Sequence, residues 1–239
     1  MSEAILEILN VFKLYNENEE KAKRSGDPQR WVKLRCGYDP DAKYYHDVER
    51  LKPWDAVRGD VITSFWTPYI TLLKREVGAG FSVDKKDNDE LDLLILQIIS
   101  PGTTPQSEKI KAVNKRVERF AELYYTRGNF MLLPKRPKGM RESLNLERMR
   151  VTQDRIDWTL YECFRSGELS PFFNRSDRAL EQWIGDQNLT SVFVNKTVGR
   201  ENIDWFIPGT TPKKITRMST QEIYAYLDRA VRLIEQRNQ

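Results

Sequence analysis

Residues 124–162 read YYTRGNFMLLPKRPKGMRESLNLERMRVTQDRIDWTLYE. The run 128–133 is apolar, short and bounded by Gly128 and Pro134, which predicts a buried strand. The loop 135–141 follows, and Pro137 and Gly139 inside it keep its cations off a helix face. Beyond it, Ile156, Leu160, Cys163 and Phe164 recur at helical spacing, predicting a helix over 152–165 with Gly167 as its stop. A short strand is therefore expected among longer helices.

Working outward, the same pattern repeats. Thr104-Pro105 opens a helix striped by Ile110, Val113, Val117, Phe120 and Tyr124. Thr67-Pro68 is a cap and first-position pair for a helix to about Val77, and residues 90–99 read as a buried helix. The first helix is expected over 3–24, with Ile5, Ile8, Leu9 and Phe12 on one face. Asp39-Pro40 starts a short helix carrying Tyr44, Val48 and Leu51, residues 31–36 alternate like a strand, and 61–66 suit either state. Downstream, 176–187 is helical with Leu180, Trp183 and Ile184 inward, and 189–194 has strand character. Ser219 and Glu222 form a capping box, Met218 and Ile223 occupy the staple positions, and Leu227, Ala230 and Ile234 continue the stripe. The pentapeptide PGTTP at 101–105 and 208–212 could mark a duplicated unit, but its flanks do not align, so it reads as a turn plus cap used twice. These elements imply a mainly α protein with a few short strands (α+β), folded as a single compact domain over 1–239.

Composition sets further bounds. Of the 239 residues 39% are hydrophobic and 31% charged, which suits a globular protein with a sizeable core. No run of about 18 apolar residues exists, so no membrane partner is expected. Only two cysteines, Cys36 and Cys163, are present, too few for a disulfide framework. The opening MSEAILEILN lacks a basic leader, so a cytoplasmic location is expected.

The net charge is +4, but it is concentrated locally. Residues 127–155 hold eight cations (Arg127, Lys135, Arg136, Lys138, Arg141, Arg148, Arg150, Arg155) against Glu142, Glu147 and Asp154, a local surplus of +5. Flanked by Tyr124, Tyr125 and Phe130, these cations suit a phosphate backbone with aromatic stacking, whether RNA or DNA. The simpler reading is a solvated surface loop. Asp154 and Asp157 lie one helical turn apart and, with Glu162, suggest a Mg²⁺ site for phosphoryl chemistry. Against this, acids in a first turn also complement the helix dipole, and Arg155 can pair with either. The acidic stretch 84–92 lacks the Gly and terminal Glu of a calcium loop. His46, the single histidine, is a candidate general base without a nucleophile motif beside it. No Walker loop, G-x-G-x-x-G, G-x-S-x-G or H-E-x-x-H sequence occurs, so no cofactor is expected apart from Mg²⁺ under the hydrolase alternative.

Gly128, Pro134, Asn145, Arg148, Asp154-Arg155-Ile156-Asp157, Thr159-Leu160 and Ser170-Pro171 stand in a pattern, G-x-F-x-L-x-P, S-x-N-x-x-R, D-R-x-D-x-T-L. This segment, within 124–173, resembles an uncharacterised family of small bacterial and phage-borne proteins classed as a domain of unknown function. Asp39-Pro40-Asp41, Tyr45-His46 and Lys52-Pro53 resemble its N-terminal signature. The chain departs from the family at Ile156-Asp157-Trp158, and at Met149 where a glycine is usual. The resemblance implies a setting of bacterial or phage conflict and supplies no chemistry. GNFMLL followed by SLN is also similar to the tail of His-Asn-His endonuclease domains, which need a histidine just upstream, whereas His46 is far away.

The leading expectation is a binding protein touching nucleic acid through Arg127, Lys135, Arg136, Lys138, Arg141, Arg148 and Arg155. Two alternatives remain open. One is a metal-dependent hydrolase or nuclease using Asp154 and Asp157. The other is an inhibitor inserting Trp54, Trp66 or Trp205 into a host or phage protein.

Overall fold

The computed structural model describes residues 3–6, 8–9, 59–78, 102–124, 126–207 and 212–239. The elements expected over 31–36, 90–99 and after Asp39-Pro40 lie outside the described residues, as do most of the first helix, His46 and the acidic stretch 84–92. The described elements run β1 (Gly59–Val61), α1 (Trp66–Val77), α2 (Pro105–Tyr124), β2 (Phe130–Leu132), α3 (Leu144–Thr152), α4 (Ile156–Cys163), α5 (Asp177–Asp186) and α6 (Thr220–Asn238), with short 3-10 turns between them. Among the described residues the chain is thus mainly helical, with one two-stranded sheet.

The long helices form where the apolar spacing places them. In α2, Ile110, Val113, Val117 and Phe120 are buried along one face. In α6, Ser219 caps the first turn and Glu222 returns to the Ser219 N–H, completing the capping box. That helix buries Ile223, Tyr226, Leu227, Ala230, Leu233 and Ile234. Helices α1, α2 and α6 pack together. Phe65, just before α1, stacks on Phe120 at 5.6 Å, and the Tyr69 hydroxyl donates to Asn114 Oδ1 at 2.5 Å. The buried apolar residues, from Ile5 to Ile234, form one cluster.

Strand β2 pairs antiparallel with β1, with Asp60 opposite Met131. Its other edge is closed by side chains rather than by a third strand. Leu132 N–H donates to Gln187 Oε1 and Trp183 Nε1 donates to the Leu132 carbonyl, both at 2.7 Å. Arg237, near the end of α6, donates to the carbonyls of Gly128, Phe130 and Gln187. A sheet this short leaves few backbone groups unpaired, and α5 and α6 satisfy them.

Three local expectations are corrected. First, the helix expected over 152–165 is shorter, Ile156–Cys163, and a separate, unexpected helix precedes it. Helix α3 ends at Thr152, Gln153 and Asp154 take left-handed φ values of 51° and 56°, and α4 begins at Ile156. Helix α3 escapes an apolar-stripe reading because its buried face is Leu144, Arg148, Val151 and Thr152, with an arginine where an aliphatic residue would mark the stripe. Second, β2 starts at Phe130, because residues 127–129 form a 3-10 turn in which Gly128 N–H is held by Asn238 Oδ1 at 2.6 Å. Third, residues 189–194 are not a strand. They lie in two 3-10 turns, Thr190–Val192 and Val194–Lys196, joined to the rest by the single bridge Phe193–Ile203. Among the described residues no helix is long and apolar enough to cross a membrane.

Candidate functional site

The cations of 127–155 divide into two groups. Lys135, Arg136, Lys138 and Arg141 are exposed, as is Arg127. Their loop is held at its base by buried Leu133 and Pro134 on one side and buried Leu144 on the other. Within it, Met140 N–H donates to the Pro137 carbonyl at 3.2 Å across Gly139, whose φ of 91° a side chain would strain. Arg136 Nη1 donates to the Arg141 carbonyl at 2.6 Å, drawing the two ends of the loop together. None of the four loop side chains forms an ion pair among the described residues, although exposed Glu142 adjoins them. Arg127 stands at the far end of β2 from this loop, beside Arg237. Arg150 is turned toward Glu147 and Glu168, at 2.8 and 3.3 Å.

Arg148 and Arg155 leave the expected interface: both are 0% exposed. Arg148 pairs with Asp60 and donates to the Val61 carbonyl at 3.0 Å, the Ile62 carbonyl at 3.4 Å and Thr159 Oγ1 at 3.2 Å. It ties β1 and the turn after it to α3 and α4. Arg155 grips Asp157 through two bonds and donates to the Lys213 carbonyl at 2.6 Å. Its guanidinium also lies 5.4 Å from the Tyr226 ring centre. A guanidinium that is fully buried and held by internal acceptors is out of reach of a polyanion.

The carboxylates are corrected in the same way. Asp157 is 0% exposed, and besides Arg155 it accepts the N–H groups of Trp158 at 2.8 Å and Phe206 at 3.1 Å. Its lone pairs are used, so a divalent cation would have to displace Arg155. Glu162 is taken up by Trp158 Nε1 and the Glu168 N–H, both at 3.0 Å. Among the described residues no group of three or more His, Cys, Asp or Glu is arranged to hold a metal ion.

Asp154 differs from Asp157. It sits 4.0 Å from Arg148, which already serves Asp60, and its Oδ1 accepts no hydrogen bond. Burial foremost, then the Asp60 charge, push its carboxyl up to about 7, against the opposing pull of Arg148. One cation thus faces two carboxylates. Asp60 gives no signal in the sequence, because its role depends on a partner 88 residues away.

The aromatic residues also face inward. Tyr124 packs on Phe65 and Phe120 at 5.8 and 6.0 Å, so it is not a stacking platform, and Tyr125 lies outside the described residues. Trp66 and Trp205 are half-buried against the core, Trp205 lying 5.4 Å from Tyr161. Trp54 is outside the described residues. Among the described residues the exposed large apolar side chains are instead Leu146 (45%), Met149 (56%) and Val194 (50%), the first two three residues apart on α3. Cys163 is a core thiol, its ionisation opposed by burial.

No family model, curated protein or solved structure matches this chain.

Proposed function

We propose that this protein binds nucleic acid through the exposed loop carrying Lys135, Arg136, Lys138 and Arg141. The observation that carries the reading is the state of those four cations: exposed, gathered on seven residues, and without a carboxylate partner among the described residues. Charges held this way are neutralised by phosphates at little desolvation cost, and each contact releases a condensed counterion. Arg148 supports the loop indirectly, by fixing α3, which follows it directly in the chain. The resemblance read in the sequence at 127–173 is the reason to test phage or bacterial nucleic acid first.

The test is fluorescence anisotropy with single-stranded and duplex RNA and DNA across a salt series. Replacing Lys135, Arg136, Lys138 and Arg141 together by Ala is expected to weaken binding and flatten the log–log salt slope by roughly 3. An unchanged affinity and slope at low salt overturns the reading.

Exposed Leu146 and Met149, close in sequence to the loop, favour a second reading in which the partner is a protein. Nuclease treatment separates the two, because a complex bridged by nucleic acid dissolves and a protein complex survives.

A further inference from the structure

Between α4 and α5 the chain doubles back around an open depression of about 610 Å³. Phe164 ends the helix in extended backbone, Gly167 N–H returns to the Phe164 carbonyl at 2.8 Å, and Leu169 N–H reaches the Glu162 carbonyl at 2.8 Å. Asn174 and Arg175 are both left-handed, with φ of 54° and 53°, and the Arg175 N–H bonds back to the Ser170 carbonyl at 3.0 Å. On the opposite side, the Arg165 N–H donates to Asp177 Oδ1 at 3.2 Å, which fixes it to the start of α5. The result is that Arg165 and Arg175, ten residues apart, line the same depression.

The donors here are free and the acids are engaged. Neither the Arg165 nor the Arg175 side chain forms a hydrogen bond or ion pair among the described residues, and both are exposed. Of the carboxylates, Glu168 also lines the depression and lies 3.3 Å from Arg150, which offsets its charge, while Glu162 and Asp177 accept backbone or indole N–H groups. Ser166 Oγ accepts Arg200 Nη1 at 2.5 Å, which leaves the serine hydrogen free to donate outward. Arg200 is itself held by stacking over the Tyr161 ring at 3.9 Å. Ser170 has no such freedom, since its hydroxyl donates to the Gly167 carbonyl at 2.8 Å. The left-handed conformation at Arg175 is one that glycine or asparagine adopts at lower cost, so the position bears backbone strain while presenting a guanidinium.

We propose that this depression is a phosphate-binding site, in which Arg165 and Arg175 grip a phosphoryl group and Ser166 and Asn174 add neutral donors. Guanidinium forks match phosphate oxygens two at a time, and two of them converging on one cavity balance a dianion. The volume exceeds that of a lone phosphate and leaves room for a body attached to it. The source is either free phosphate or the terminal phosphate of a nucleotide. The site is separate from the loop 135–141, and its occupancy does not rest on that loop's function.

The experiment follows backbone amide resonances of the full chain at low ionic strength during titration with inorganic phosphate, a nucleoside monophosphate and the matching nucleoside. Saturable shifts confined to 165–177 with the two phosphates, and none with the nucleoside, are expected. Tighter binding of the monophosphate identifies the nucleotide as the source, and equal binding identifies phosphate alone. Arg165→Ala and Arg175→Asn, the latter retaining left-handed tolerance, are each expected to weaken binding by about tenfold. The quadruple loop variant is expected to leave these shifts unchanged, so failure of the loop reading and failure of this one are distinguishable. Absence of saturable shifts with either phosphate overturns the site, as does binding indifferent to both arginine variants.

Discussion

Arg155 and Asp157, two residues apart and both wholly buried, hold each other through paired bonds, Nε to Oδ1 at 3.1 Å and Nη2 to Oδ2 at 2.5 Å. The pair sits at the first turn of α4 and reaches the Phe206 N–H and the Lys213 carbonyl. It is a joint between distant parts of the chain.

Breaking one side of that joint strands a buried charge. Arg155→Met is expected to cost about 3–5 kcal/mol, and Arg155→Met with Asp157→Leu distinctly less, because the double variant leaves no unpaired ion. Urea denaturation of both single variants and the double gives the coupling. Additive losses would mean that the two side chains do not act as a pair.

Asp154 makes stability depend on pH. Its carboxyl is pushed up to about 7 in the folded protein, against an ordinary value of 3.8, so between those values the folded state holds a proton that the unfolded state has lost. Stability from this group is complete below the lower value and declines as pH rises through the upper one. Asp154→Asn is expected to abolish the decline and to stabilise the protein near pH 8, each pKa unit being worth about 1.4 kcal/mol. Parallel denaturation midpoints for wild type and variant across pH 5 to 8 would contradict this.

Gly128 is where the end of α6 meets the turn before β2. A Cβ there would overlap the Ile234 carbonyl oxygen and lie 2.8 Å from Asn238 Oδ1, the acceptor of the Gly128 N–H. Gly128→Ala is expected to cost about 1–3 kcal/mol and to raise amide exchange over 234–238. Unaltered exchange at the end of α6 would show that this contact does not hold the helix.

Lys196 is an exposed residue with φ of 57°, following Asn195 at 52°. Lys196→Gly relieves the left-handed strain without removing any hydrogen bond or ion pair of the side chain seen among the described residues. A gain of about 0.5–1 kcal/mol is expected, read as a higher Tm. A lower Tm would show that the lysine side chain contributes more than its backbone costs.

The helices with local signals were legible in the sequence. The Ser219 and Glu222 box and the Ile223 to Ile234 stripe define α6 within a few residues of each other, and Ser176 caps α5 by accepting the Ala179 N–H. Helix α3 was not legible, since its inward side chain at the key position is Arg148. The depression at Arg165 and Arg175 was equally invisible, because Arg175, left-handed without being glycine or asparagine, carries no turn signature.

Chain order alone determined that this is a mainly helical protein with a cationic stretch at 127–155, since helical periodicity, caps and charge surplus are properties of neighbouring residues. Only tertiary structure decided what each cation does. Arg141 and Arg148 are seven positions apart and chemically identical, yet one is exposed to solvent and the other is buried on Asp60, 88 residues upstream. Burial and partnership are set by contacts between remote segments, and those contacts separate a binding surface from an internal joint.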